Sequence, residues 1–477
     1  MSVLLISNGA PGYHHFFNAL LQEYAKEGRQ VVIAVDCPYS KSLNELDSLG
    51  FPIHVFSEFY RNGNYSSREL IKYSEFNLNA ALLSDFERNE VYGIARGRGA
   101  EFYELLASAL IGFYENIFDL FNISEVVYEG VSNTFAHFAY FVAQKRGAVY
   151  KGLISSRLPG RYSITSDPCN ESFALMREFH RICNGEVVPE ANVKEWCISY
   201  LEKLDDITPD YMKFNKLDKV GVFSRYLNFS KLKKAIQILK HQFDDHEAAF
   251  QIGNPLRYSY SMVKRNFLRR VRLKKVVSLY DKPSLEGEFY LYPLHFHPEA
   301  STSILSGAYL DEYEVIRNIA FNLPSGIKLY VKDHISAYGF QSLDFYKRIK
   351  LLPNVLLLGP HEHTKSLIRS SSGVITLTST VGYEALLLNK RVFLFGRVFY
   401  EAHKNVRKVA NPAQLFELLK YDSFSPDLDA KYNIDFLCAY YAVTRPGVLN
   451  LMGNAQDSKR LAQSIYKDIR DYTMGGG

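Results

Sequence analysis

The most constraining feature of this 477-residue chain is a regular alternation of short apolar runs and amphipathic stretches after residue 287. EFYLYPLHF (288–296), IKLYVKDH (327–334), NVLLLG (354–359), GVITLT (373–378) and RVFLFG (391–396) each read as a buried strand. Between them DEYEVIRNIAFNL (311–323, stopped by Pro324), SLDFYKRIKLL (342–352), EHTKSLIRSSS (362–372) and VGYEALLLN (381–389) read as helices. Strands that alternate with helices through short connections predict a parallel sheet covered on both faces, a Rossmann-like domain.

The first half carries a weaker version of the same pattern. VLLIS (3–7) stops at Asn8-Gly9, helix HHFFNALLQEYAKE (14–27) is closed by Gly28, and VVIAV (31–35) ends at Asp36. That is a βαβ unit. Strand ISEVVYEG (123–130), helix NTFAHFAYFVAQKRG (133–147) and a strand near 150–154 extend it. The stretch 55–120, rich in Tyr, Phe and Glu, reads as helical. The expected layout is a first Rossmann-like domain over 1–211, a basic helical segment over 212–285, a second Rossmann-like domain over 286–440 and a terminal segment over 441–477. The helix of that last segment, AQDSKRLAQSIYKDIRDY, is expected to return to the first domain.

Hydrophobic residues at 47% and charged residues at 22% exclude a disordered, collagen-like or disulfide-scaffold chain. Five cysteines at wide spacings, with no CxxC, fit neither a disulfide framework nor a structural zinc site. The opening run lacks a basic leader and reads as a first core strand. No apolar stretch is long enough to span a membrane. These features lead to the expectation of a cytoplasmic protein, at the inner face of a bacterial membrane if a surface docks there. Net charge is +5, but residues 212–285 hold 17 Lys and Arg against 5 Asp and Glu. That +12 leaves −7 on the rest, and its densest part is KRNFLRRVRLKK at 264–275. Such a run is a solvated helix face or linker, or a surface for anionic lipid headgroups or a phosphate-bearing acceptor. No motif of a nucleic-acid binder accompanies it, and no nucleic-acid partner is expected.

Ligands of open α/β sheets bind beyond the carboxyl ends of the strands. In the second domain those ends carry His295, His297, Glu299, Ser301 and Thr302; then Lys332, Asp333 and His334; then Pro360; then Thr376, Thr378, Ser379, Thr380 and Gly382. In TLTSTVGYEALLLNK a strand gives way to a helix through small hydroxylated residues. Ser379, Thr380 and Gly382 suit a phosphate held by hydroxyls and helix N-terminal N–H groups, or a plain N-cap. Lys332 and His334 can both donate to phosphate oxygens. Glu384 is a solvated helix residue or an acceptor for ribose hydroxyls. His295 and His297 lack a third ligand at a telling spacing, so no metal is expected.

YPLHFHPEAST, LYVKDH and GVITLTSTVGYEALLLNKRVFLFGRVFY together resemble the capsule polysaccharide biosynthesis family, which includes bacterial Kdo transferases of the capsule-export type. The resemblance covers roughly 288–400, and the first half matches only in layout. It implies a GT-B fold, two Rossmann-like domains facing across a cleft, with the nucleotide-sugar donor on the second and the acceptor side on the first. It implies CMP-Kdo or a related CMP-ulosonic acid as co-substrate, no other cofactor and no metal. Lys332 and His334 would face the donor phosphate, Ser379, Thr380 and Gly382 would form its loop, and Glu384 would follow it. His295, Glu299, Ser301 and Thr302 match the PLH…PEAST element. The family's His-Pro is His334-Ile335 here. Where Kdo transferases place an acidic residue with glycine, this chain has Tyr150 and Lys151 in YKGLISSRLPGR; Arg157 and Arg161 remain, with Asn8 also on the acceptor side. Glu129, ending ISEVVYEG, is then the candidate catalytic carboxylate. The activity implied is sugar transfer to a surface-polysaccharide or lipid-linked glycan acceptor, with 264–275 offered to a membrane surface. A UDP-hexose transferase, a sugar-nucleotide epimerase of the same shape, and a non-catalytic glycan- or membrane-binding assembly protein are the competing readings.

Overall fold

A computed structural model describes residues 2–7, 9, 13–63, 65–92, 97–207, 209–210, 213, 229–244, 250, 253–307, 309–421, 430–452 and 455–472. They form two units, Met1–Pro168 with Pro209–Met262 and Thr444–Gly477, and Cys169–Thr208 with Val263–Val443.

The first unit is built on a seven-stranded sheet in the order β3-β2-β1-β4-β5-β6-β13. Its strands, numbered along the chain, are β1 Ser2–Ser7, β2 Val31–Val35, β3 Ile53–Val55, β4 Ile123–Glu129, β5 Val149–Ser155, β6 Arg161–Thr165 and β13 Arg445–Pro446. β1 to β5 run parallel; β6 pairs antiparallel with β5, and β13 pairs antiparallel with β6. Every residue of β1 and β2 is buried, as expected of apolar runs without alternation in a sheet covered on both faces. Strand order reverses between β1 and β4, so Glu129 ends a strand at the switch point of this sheet.

The helix Ala455–Asp471 packs on the helix His14–Lys26, with the rings of Tyr24 and Tyr466 5.0 Å apart. Its carboxyl end is capped by the buried Lys151, whose Nζ donates to the carbonyls of Ile469 (2.7 Å) and Arg470 (3.1 Å) and ion-pairs Glu125 at 3.0 Å. A cation there opposes the partial negative charge of the helix end. Lys151 is therefore a structural clamp, and a carboxylate in its place would face two carbonyl oxygens and Glu125. Among the described residues the aromatic stretch 55–120 forms five helices, the longest Ala100–Phe121. Phe56, Phe113, Phe135 and Phe250 form one cluster with ring centroids 5.4–5.9 Å apart. Tyr24, Tyr73, Tyr114, Tyr128, Tyr150 and Tyr162 are fully buried in the same unit. Core packing, rather than stacking on sugar, accounts for these rings.

The second unit holds six parallel strands: β7 Phe289–Pro293, β8 Lys328–Lys332, β9 Val355–Leu358, β10 Gly373–Thr376, β11 Arg391–Leu394 and β12 Val406–Lys408. Their order, β12-β11-β10-β7-β8-β9, is that of dinucleotide-binding sheets, with the switch point between β7 and β10. Five of these strands were legible as apolar runs; β12, three residues with Arg407 and Lys408 in it, was not. Residues 169–208 adjoin the first half in sequence but pack in this unit. Phe179 meets Phe436 at 5.7 Å and Trp196 meets Tyr441 at 5.1 Å. The buried Lys365 ties them further by donating to the carbonyls of Leu204, Asp205 and Ile207.

Candidate functional site

The donor-side residues expected from the sequence lie at and beyond the carboxyl ends of β7 to β10, so one edge of the second sheet gathers them. Lys332 ends β8, opposite Pro293 of β7 and Leu358 of β9. Its Nζ donates to the carbonyl of Pro360 at 2.9 Å, and among the described residues it forms no ion pair. Burial pushes this ammonium down to about 8, against the pull of Asp333, Glu362 and Glu384. A buried cation without a counter-ion is poised to receive an anion. His334 follows two residues on. Its Nδ1 accepts from the Ser336 N–H at 3.2 Å, which puts the proton on Nε2. Burial, then the neighbouring His295 and Lys332, hold it near 4, so at neutral pH it is an uncharged donor. Between them Asp333 accepts from the Tyr280 hydroxyl and the His334 N–H, both at 2.7 Å, and burial raises its carboxyl to about 6.

Beyond β7 lies a buried group that sequence reasoning missed. Glu312 opens the helix Glu312–Phe321, and its Oε1 accepts from the backbone N–H and Nδ1 of His295, both at 2.8 Å, and from the Tyr292 hydroxyl at 3.4 Å. Its Oε2 faces His297 Nε2 at 3.4 Å. Burial alone would raise this carboxyl, but the hydrogen bonds from His295 and His297 hold it down at about 2. With Nδ1–H committed to Glu312, His295 uses Nε2 as an acceptor, and the backbone N–H of Thr378 donates to it at 3.3 Å. A carboxylate–imidazole–amide relay thus crosses the switch point and sets the loop after β10. Seventeen residues separate His295 from Glu312, and no motif marks that spacing.

In that loop Ser379 is the N-cap of the helix Thr380–Leu387, its Oγ accepting from the Val381 N–H at 3.2 Å. The Gly382 N–H is directed to the Ser379 carbonyl at 3.0 Å. These two donors are satisfied within the protein, which is the N-cap alternative of the sequence reading. Gly382 is required for packing, because a Cβ there would run into the hydroxyl and ring of Tyr400, which itself donates to the Ser379 carbonyl at 2.6 Å. Gly382→Ala is expected to cost about 1–3 kcal/mol. Thermal unfolding should show a smaller loss from Gly382→Ala when Tyr400 is already Phe; equal losses in both backgrounds would refute the clash. Thr378 Oγ1 is buried and meets no partner among the described residues, so an acceptor can still be received there. Glu384 is half-buried, and burial raises its carboxyl, with Lys365 and Lys332 opposing.

Thr302 is fully buried and its hydroxyl donates to the Glu299 carbonyl at 2.9 Å, so it fastens the turn instead of meeting solvent. Glu299 is exposed and Ser301 half-buried. In the first unit Glu129 accepts from Ser132 Oγ at 3.3 Å, and its charge raises the Tyr13 hydroxyl. The nearby helix Thr134–Lys145 is capped by Asn133 Oδ1 and by Asp85, which takes the Thr134 N–H at 2.9 Å, so a carboxylate already occupies that N-terminus. Arg161 is bound to Thr444, through Nε to the hydroxyl and Nη2 to the carbonyl, both at 2.7 Å, and so ties β6 to β13. Arg157 is half-buried in the turn between β5 and β6, and Asn8 lies outside the described residues. Among the described residues no group of three or more His, Cys, Asp or Glu is arranged to hold a metal ion.

Residues 217–403 match the profile described as "Capsule polysaccharide biosynthesis protein". This segment, which is less than half of the chain, is similar to that family. The matched segment includes the basic stretch from 217 onward as well as β7 to β11, so the similarity begins well before residue 288. No curated protein matches the chain in sequence. Among solved structures, the chain is similar to the beta Kdo 2,4 transferase of Thermosulfurimonas dismutans KpsC at 14% identity and TM-score 0.36, covering 70% of this chain and 87% of that one. The beta Kdo 2,7 transferase of the same protein gives 12% and 0.35, over 74% and 89%. UDP-GlcNAc 2-epimerase from Methanocaldococcus jannaschii gives 11% and 0.25, over 91% and 97%.

Proposed function

We propose that this protein is a glycosyltransferase that moves a sugar from a nucleotide-sugar donor, CMP-Kdo or a related CMP-ulosonic acid, to a surface-polysaccharide or lipid-linked glycan. The observation that carries this reading is the buried Lys332 ammonium without a counter-ion, with an uncharged His334 donor two residues on, at the end of β8 next to the switch-point strand β7. An anionic leaving phosphate is the ligand such a pair complements. In the proposed step an acceptor hydroxyl oxygen bonds to the anomeric carbon of the donor. The bond from that carbon to the phosphate oxygen breaks, and the nucleotide leaves with the electron pair. Lys332, the Nε2–H of His334 and the Thr378–Thr380 hydroxyls stabilise the developing charge. The hydroxyl proton passes to a carboxylate, for which Glu129 is the candidate.

A thermal-shift comparison of CMP, UDP and GDP tests the donor, since a ligand that binds only the folded state raises the melting temperature. Stabilisation by CMP, with acceptor-dependent CMP release from CMP-Kdo, is the expected result. Stabilisation by UDP alone overturns the donor, and conversion of a nucleotide sugar without acceptor overturns transfer in favour of epimerisation. Unchanged turnover in His334→Ala would remove His334 from the phosphate site.

A further inference from the structure

The helix Pro255–Val277 is amphipathic in the reverse of the usual sense. Its inward face is made of arginines. Arg265 donates to the His297 carbonyl at 2.6 Å, Arg269 to that of Tyr338 at 2.8 Å, and Arg272 to that of Gln341 at 2.6 Å. Arg265 and Arg269 also lie over the ring of Phe340, 4.4 and 4.3 Å from its centroid. Gly339 sits under the helix with φ of 77°, where a side chain would press on Leu273. Three of the cations that make the 264–275 run so basic are therefore turned inward, holding the loops that carry His297 and follow His334.

The opposite face is apolar. Leu256, Tyr260, Val263, Phe267 and Val271 recur at spacings of four, three, four and four, which is one stripe of a helix. Val263, Phe267 and Val271 are 55%, 63% and 62% exposed. Scattered surface apolar residues need no explanation, but a continuous stripe does. Lys264, Arg270, Lys274 and Lys275 are exposed along and beside it, and the helix contains no acidic residue. The other described helix of the basic segment, Phe229–His241, also exposes Ile236 and Leu239, with Phe243 just beyond. Low mean hydropathy, an apolar stripe and a flank of cations with no anion are the signature of a helix that lies in a membrane interface. A protein partner would have to bring a groove lined with carboxylates, whereas an anionic bilayer offers apolar depth and negative charge together.

We propose that the outer face of the helix Pro255–Val277 docks on an anionic lipid surface, with Val263, Phe267 and Val271 entering the headgroup boundary and Lys264, Lys274 and Lys275 meeting lipid phosphates. The proposal does not depend on which donor the protein uses.

Co-sedimentation of the full chain with vesicles tests it, comparing phosphatidylcholine alone with vesicles about one-third phosphatidylglycerol. The expected result is binding only to the anionic vesicles, weakened as salt rises. Phe267→Asp with Val271→Asp should lower that binding about tenfold or more. Lys264→Gln with Lys274→Gln and Lys275→Gln should lower it by roughly fivefold per lysine. Both sets should melt with the wild type, since the side chains are exposed. Absence of binding to anionic vesicles overturns the proposal. So does binding that the lysine set abolishes and the aspartate set leaves unchanged. A soluble dimer dispersed by Phe267→Asp, without vesicle binding, overturns it in favour of a second copy of the chain.

Discussion

Glu312→Ala should destabilise the second unit by about 3–5 kcal/mol, lowering its melting temperature by roughly 10 °C. The carboxylate is 4% exposed and gathers the backbone and ring N–H of His295 and the Tyr292 hydroxyl. Removing it leaves those donors buried without an acceptor, which is the expensive way to break a polar cluster. It also frees His295 Nε2 from its tautomer, and with it the Thr378 N–H that positions the loop. Folding lowers this carboxyl from its usual range to about 2, so its contribution is full above about pH 4.5 and fades as pH falls towards 2. The difference between wild type and Glu312→Ala should shrink over that window. Glu312→Gln keeps an acceptor oxygen for His295 without the charge, and should lose less and respond less to acid. Scanning calorimetry between pH 7 and 3 checks all three; an Ala variant that melts within a degree of wild type at pH 7 refutes the relay.

Lys332→Met should have the opposite balance, losing function while gaining stability. Turnover and nucleotide affinity should fall about 100-fold, the scale of losing one group that stabilises a developing anion. The ligand-free protein should instead become about 1–3 kcal/mol more stable at pH 7, since the substitution removes a buried charge that no carboxylate pairs. Folding lowers the ammonium from 10.5 to about 8, so the native state holds fewer protons between these values. The penalty is thus full below about pH 8 and disappears as pH rises towards 10.5, and the advantage of Met should fade over the same range. Nucleotide binding by wild type should weaken as pH rises above about 8, where this amine loses its charge. Thermal melts and nucleotide titrations across pH 7–10 test this. A Met variant that is less stable than wild type and binds CMP equally well would make Lys332 a structural residue.

Much of the second sheet could be read directly, because strands covered on both faces must be nearly continuous apolar runs and the helices between them must be amphipathic. The order of the runs also led to the strand ends where Lys332, His334 and the 376–382 loop lie. Within that loop the sequence left two alternatives, phosphate contact and helix cap. Hydrogen bonds resolve part of it, since Ser379 and the Gly382 N–H serve the cap and Gly382 is small because Tyr400 touches it. Lys151 shows the converse. Its place in the sequence aligned it with a catalytic acid, whereas its contacts are with a helix end more than 300 residues away.

By itself, then, the amino-acid sequence determined the two α/β units and the family resemblance, because periodicity and short connections are local properties written residue by residue. Tertiary structure alone decided the rest. It joined 169–208 to the second unit, set Glu312 under His295, and turned three arginines of the basic helix inward so that its apolar stripe faces out. Each of these depends on which groups meet after burial. A sequence records how often a cation or an aromatic ring occurs, but only packing determines whether water, a carbonyl or another ring is beside it.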